Sequence, residues 1–266
     1  MKTIAMCNQK GGVGKTATTA QLARAAVRQG LRVLVVDADP QGNATTALVA
    51  EELPQDAAGL ADVLSSRTDA TVADVIVPGV WPGLEVLPTT GGGSLGLVRD
   101  ELIQTAIGRE GRLRDALAAA GEAWDLVLID CAPSLDQLTI NALAAADIAA
   151  AVTEADRFAS HGLVQLIQTI GLVRQHYRPS LRLTGVIVNR YRPREREART
   201  WLDELRGASE AMDFPLLDPP IPYRAGIAAA MAAGAGIDEW TAMPRAQRDE
   251  LAALYTAHLH TITQEA

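Results

Sequence analysis

Residues 8–16 read Asn8-Gln9-Lys10-Gly11-Gly12-Val13-Gly14-Lys15-Thr16, and the rest of the chain follows from them. The common phosphate-loop pattern, Gly-x-x-x-x-Gly-Lys-[Ser/Thr], would place its first glycine at Gln9. The strict pattern is therefore not met; the variant here is Lys-Gly-Gly-x-Gly-Lys-Thr. Its chemistry is intact. Gly11, Gly12 and Gly14 let the backbone curl with its N–H groups facing inward. A helix beginning near Lys15 adds its positive N-terminal end. Lys15 brings a point charge to the β- and γ-phosphates, Thr16 a hydroxyl for Mg²⁺, and Ala17 an N–H for the α-phosphate. Three glycines, a lysine and a threonine at fixed offsets between a strand and a helix are far too many coincidences for a plain turn. The loop predicts a site for ATP and Mg²⁺.

Working outward, Lys2–Cys7 reads as a short apolar strand, Lys15–Gln29 as a helix ending at Gly30, and Arg32–Asp37 as a strand buried on both faces. This is one βαβ unit with a parallel pair. Further strands read at 84–87, 126–130, 148–152 and 183–188, with a short proline-limited one at 216–221. Helices read at 113–120, 137–145, 162–175, 195–205, 225–233 and 245–262. The expected architecture is α/β, a mostly parallel sheet flanked by helices on both faces, in one domain over residues 1–266. Gly91-Gly92-Gly93-Ser94 reads as a surface loop.

Two acidic strand ends complete the expected site. Asp37 and Asp39 close the second strand, and Asp130 closes Leu126-Val127-Leu128-Ile129. Strand C-terminal ends line the ligand crevice of an open parallel sheet, so Asp37, Asp39 and Asp130 are expected to meet near Thr16. Cys7 and Cys131, the two cysteines of the chain, fall beside buried strands and read as inert core thiols of a reducing cytosol. The N-terminus is no signal peptide, and no run is long enough for a membrane span.

These motifs resemble the ParA/MinD family of deviant-Walker ATPases. Residues 8–16 are similar to its signature, Asp37-Ala38-Asp39-Pro40-Gln41-Gly42-Asn43-Ala44 to its second motif, and Asp130-Cys131-Ala132-Pro133-Ser134-Leu135 to its third. Gly185–Arg190 and Ile221-Pro222-Tyr223-Arg224 resemble its adenine-side segments, and Asp-Pro-Gln-Gly-Asn is typical of the ParA branch that partitions plasmids and chromosomes. The resemblance implies that Lys10 reaches across a nucleotide-sandwich homodimer to the partner's phosphates. It implies that Lys15 and Thr16 hold phosphate and metal, Asp39 orients the attacking water on the metal side, and Asp130 holds Mg²⁺ through water. Asn189, Pro222 and Tyr223 would border the adenine. Where the family runs Lys-Thr-Thr-Thr this chain has Ala17, and where Ile-Pro-Arg-Asn is common the arginine is displaced by one, to Arg224. The chain opens on its first strand, so no N-terminal helix-turn-helix extension is expected.

The net charge of −8 argues against nucleic acid, but its distribution does not. From Arg174 to Arg206 nine arginines face four acids, a local surplus of five. A basic face binds phosphate even on an acidic chain. Arg192, Arg194, Arg196 and Arg199, with Arg224 behind them, are the expected contacts to non-specific duplex DNA. The implied activity is a weak ATPase of the cytoplasm and nucleoid, switched by ATP and stimulated by a centromere-binding ParB-like partner. A membrane-associated relative would need a basic amphipathic tail, and residues 258–266 have no Lys or Arg. An iron–sulfur relative would need loop cysteines, and a biotin-pathway synthetase would lack the Asp-Pro-Gln-Gly-Asn run. A relative positioning protein cargo stays open.

Overall fold

The computed structural model describes residues 1–105, 107–157 and 159–264. Eight strands form one sheet: β1 (Lys2–Cys7), β2 (Val33–Ala38), β3 (Val77–Pro78), β4 (Leu84–Leu87), β5 (Leu126–Cys131), β6 (Ile148–Glu154), β7 (Arg182–Asn189) and β8 (Leu216–Leu217). Their order is β3-β4-β2-β5-β1-β6-β7-β8, and every pair is parallel except β3 with β4. The α/β expectation holds.

Apolar runs without polar alternation are what a sheet covered on both faces demands. Every residue of β2 and β5 is buried. Successive side chains take opposite faces. Leu34, Val36, Val127 and Ile129 pack under α3 (Leu60–Leu64), α5 (Ser94–Gln104), α6 (Arg112–Ala119), α7 (Gln137–Ala145), α8 (Ala159–His176) and α9 (Arg196–Met212). Val33, Val35, Leu126 and Leu128 pack under α1 (Lys15–Arg28), α2 (Asn43–Leu48), α10 (Ala225–Ala232) and α11 (Arg245–Gln264). A single turn, α4 (Val72–Val75), is closed by Asp74, which accepts the Thr71 N–H at 2.9 Å and the Thr71 hydroxyl at 2.6 Å.

Two readings need correction. The strand expected over 216–221 is paired only at Leu216–Leu217, because Pro219, Pro220 and Pro222 remove the donors that would extend it. Gly91–Gly93 is a 3₁₀ turn rather than an open loop, and Ser94 already belongs to α5. Leu95, Val98 and Leu102 carry the helical spacing that buries α5. Cys7 and Cys131 lie buried on adjacent strand ends, Sγ to Sγ at 3.5 Å. The contact with Cys7, together with burial, holds the Cys131 thiol well above its ordinary range, as inert core thiols require.

The C-terminal edge of the sheet positions everything that follows. Asp130 is level with Met6 of β1 and with Asp37 of β2, so three central strands end together.

On the face it shares with α1, α11 buries Leu251, Tyr255, His258, Leu259 and Ile262. Burial holds the pKa of His258 below its ordinary value, against the opposing pull of a Pro219 carbonyl bond and the Asp218 charge. The folded state thus favours the neutral ring. Its contribution to stability is present above the unfolded pKa of about 6.5 and is lost as pH falls below it. Thermal melts from about pH 7.5 to about pH 5 should show a drop in Tm that is smaller in His258→Gln; equal drops would show that the ring is uninvolved.

Candidate functional site

The loop after β1 is held from both ends. The Asn8 side chain accepts the Lys10 N–H at 2.8 Å and donates to the Val152 carbonyl of β6. Gly12 and Gly14 adopt φ of 84° and 81°, the left-handed region that glycine alone enters without strain. A β-carbon on Gly14 would also lie 2.4 Å from the Asn189 amide nitrogen, whereas one on Gly11 or Gly12 would meet open space. Space beside Gly11 and Gly12 is therefore open, while Gly14 is packed against Asn189.

Beneath the loop, Lys15 donates to Asp130 at 2.6 Å. Both are buried, Lys15 at 7% and Asp130 at 0% exposure. Burial opposes the lysine's charge, but the Asp130 carboxylate outweighs it and holds the Lys15 pKa above its ordinary value. The Thr19 hydroxyl donates to the same Asp130 oxygen at 3.2 Å, while the second oxygen of Asp130 has no partner among the described residues.

Asp37 is fully buried and accepts the Thr45 N–H at 2.7 Å and the Thr45 hydroxyl at 2.8 Å. Burial and the facing Asp130 charge push its pKa up to about 7. Asp39 instead accepts the Gln41 N–H at 3.0 Å and lines a cavity of about 510 Å³ with Lys10 to Ala17, Gln41, Pro133 and Met231.

The structure thus brings Lys10, Gly11, Gly12, Val13, Gly14, Lys15, Thr16, Ala17 and Asp39 to one cavity wall. Asp37 and Asp130 stand level on adjacent strands and Asp39 lines the cavity with Thr16, but the three acidic groups take different partners. Asp130 lies under Lys15, and its hydroxyl partner is Thr19, one turn beyond Thr16, because the helix turns Thr19 toward β5. Asp37 is turned onto Thr45 and shapes the 39–45 segment. Asn189 donates to the Val13 carbonyl at 2.8 Å, so its amide braces the loop. Tyr223 lines a neighbouring cavity of about 540 Å³ that shares Lys10 and includes Asp156, Arg190 and Trp201. Pro222 bridges Tyr191 beside it. Thr19 and Thr45 are site neighbours that the motif reading omitted, and Arg190, the last residue of the segment 185–190, reads toward the base and not toward the loop.

The arginines divide. Arg192 stacks on Tyr223 at 4.1 Å and pairs with Glu195 at 3.4 Å, and Arg206 pairs with Asp203 at 3.3 Å. Arg194, Arg196 and Arg199 are exposed, the last two on the first turn of α9. Arg224 is exposed and donates to the Tyr223 carbonyl at 2.9 Å.

A family profile described as an AAA domain matches residues 1–183. The chromosome partitioning protein ParA of Caulobacter vibrioides is 45% identical over 72% of this chain and 70% of its own length. The chain belongs to the ParA/MinD family of P-loop ATPases. Sporulation initiation inhibitor protein Soj of Bacillus subtilis is 42% identical over 70% of this chain and 72% of its own. Among solved structures, cobyrinic acid a,c-diamide synthase of Mycobacterium smegmatis with a bound ATP analogue and magnesium superposes with a TM-score of 0.76. It is 34% identical and covers 88% of this chain and 91% of its own.

Because Lys15 neutralises Asp130, its removal has two effects. Lys15→Ala should abolish nucleotide binding and also destabilise the fold, by about 3–5 kcal/mol for a buried carboxylate left unpaired. The double variant Lys15→Ala with Asp130→Asn should regain much of that stability in urea melts without regaining binding. Binding that survives Lys15→Ala would show that the loop is not a phosphate site.

Proposed function

We propose that this chain is a DNA-partition ATPase that binds ATP with Mg²⁺, dimerises around it and hydrolyses it. The observation that carries the reading is the single cavity in which an open glycine cradle faces Asp39. The cradle offers unblocked space at Gly11 and Gly12, and the partnerless buried oxygen of Asp130 suits a hydrated hard cation. Thr16 would hold the metal directly, with Asp130 and Asp39 on its water shell. Bound Mg²⁺ would offset charge on the β- and γ-phosphate oxygens.

The chain's own residues do the remainder. Inward N–H groups and the N-terminal end of α1 bind the phosphates. Lys15 exchanges part of its contact with Asp130 for the phosphates. Asp39, fixed by the Gln41 N–H, orients a water toward the γ-phosphorus. Lys10, half exposed at the loop rim, would reach a second copy's phosphates, and Tyr223, Pro222 and Asn189 would border the base. The ATP-bound dimer brings two basic faces together on non-specific duplex DNA, and a ParB-like centromere-binding partner stimulates turnover.

Within this family the DNA reading is favoured over the membrane one by α11. Its apolar residues Leu251, Tyr255, Leu259 and Ile262 are spent in packing on α1 and β7. Glu265 and Ala266 lie outside the described residues.

Two measurements test the reading. Asp39→Ala should bind ATP within about threefold of the parent yet lose turnover by about a hundredfold or more, accumulating as a dimer. Normal turnover would make Asp39 structural. In retardation assays with ATP, random-sequence duplex should bind at low salt. Ala at Arg192, Arg194, Arg196 and Arg199 should weaken binding alike for every sequence. It should also reduce the log–log salt slope by roughly one for each phosphate that is no longer neutralised. Equal affinity for both proteins would place the DNA face elsewhere. No binding by the parent would favour a protein-cargo role.

A further inference from the structure

A phosphate cradle needs its N–H groups aimed inward, and in a planar trans peptide the carbonyl points opposite to the N–H that follows it. Whatever grips the carbonyls from outside therefore aims the donors. Two consecutive residues at the end of β7 do this. Asn189 donates to the Val13 carbonyl at 2.8 Å, which turns the Gly14 N–H to the concave side. Arg190 donates to the Gly12 carbonyl at 2.6 Å, which does the same for the Val13 N–H. Neither of these two N–H groups has an acceptor among the described residues.

Arg190 is itself held for this task. Its guanidinium also donates to Glu154, at the end of β6, at 3.1 Å, and its backbone N–H donates to the Asn189 side chain at 2.8 Å. Its φ is 54°, a left-handed conformation that any residue with a β-carbon resists. A strained backbone kept in place by three polar contacts, with the side chain laid across the loop, is the pattern of a functional constraint.

We infer that Arg190 is a positioning residue for the phosphate cradle: it fixes the Gly12–Val13 peptide so that the Val13 N–H faces the phosphates. This rests on the ATP reading above. It assigns Arg190 to the loop's geometry; the guanidinium also lies 6.0 Å from the ring of Tyr223, proposed above to border the base, so the test must separate the two roles.

The test compares the parent with Arg190→Ala, Arg190→Gly and Arg190→Lys. Two probes are used, ATP with Mg²⁺ and inorganic tripolyphosphate, which has no base. Ala and Gly should each weaken both probes about tenfold, and by the same factor for each probe. Lys, which keeps one charged donor, should recover most of the loss. The deficit should persist at molar salt, where the screening length is about 3 Å. Gly relieves the backbone strain, so Arg190→Gly should melt above Arg190→Ala while binding no better. That separates positioning from stability and keeps the test alive if the Ala variant folds poorly. A loss confined to ATP would mean that Arg190 reads the base and would overturn the inference. A loss that vanishes at high salt would mean through-space charge and would overturn it too. So would parent-like binding by Ala and Gly. Failure of the parent itself to bind ATP would instead overturn the ATP reading.

Discussion

One buried ion pair, Lys15 on Asp130, ties the centre of this molecule together. It links the first residue of α1 to the end of β5, across the strand from which the loop emerges. Neither charge would survive burial alone, so each fixes the other's position. Asp37 stands level with Asp130 on the next strand and feels its charge, which together with burial raises its own pKa to about 7. That leaves three acidic groups in three different environments at one sheet edge. Asp130 is neutralised by a lysine. Asp37 is desolvated and satisfied by Thr45. Asp39, two residues further along, reaches the cavity. The motif Asp37-Ala38-Asp39 thus splits into a residue that shapes the loop and one that can act on a ligand.

Much of the fold was legible because its signals are local and redundant. The apolar runs 33–36 and 126–129 have the length and β-branching of buried strands, and their acidic ends fall where a parallel sheet gathers ligands. The phosphate loop was legible from glycine spacing alone. What was missed lies between residues 43 and 104, where α2, α3 and α4 are too short to show a helical period. α5 does carry one, at Leu95, Val98 and Leu102, but its glycine-rich start reads as a loop. The overlong edge strand at 216–221 failed for the opposite reason: apolar side chains remain while prolines withdraw the hydrogen-bond donors.

The site was legible as a list of residues and not as a set of contacts. The motif singles out Thr16, and only the rotation of α1 against β5 gives the contact from Thr19 to Asp130. Asn189 reads as a base neighbour from its motif, yet its amide is committed to Val13. Arg190 ends a segment that reads as adenine-side, and nothing in that motif points it at the phosphate loop. Its importance arises from a left-handed φ and from a partner 178 positions away, and neither quantity is written in local sequence.

The two lysines of the loop make the same point about function. Lys15 is buried and its geometry is dictated by the fold. Lys10 pairs with Asp156 at the rim, where the side chains are 46% and 29% exposed. An ion pair that open to solvent contributes about 0–1 kcal/mol, so its partner can be exchanged at small cost. Lys15 cannot leave its neighbourhood without stranding a buried carboxylate. One loop can therefore hold a fixed cation for its own phosphates and offer a second, exchangeable one outward. The role proposed for Lys10 toward a second copy needs that asymmetry in exposure, which the motif names but does not itself supply.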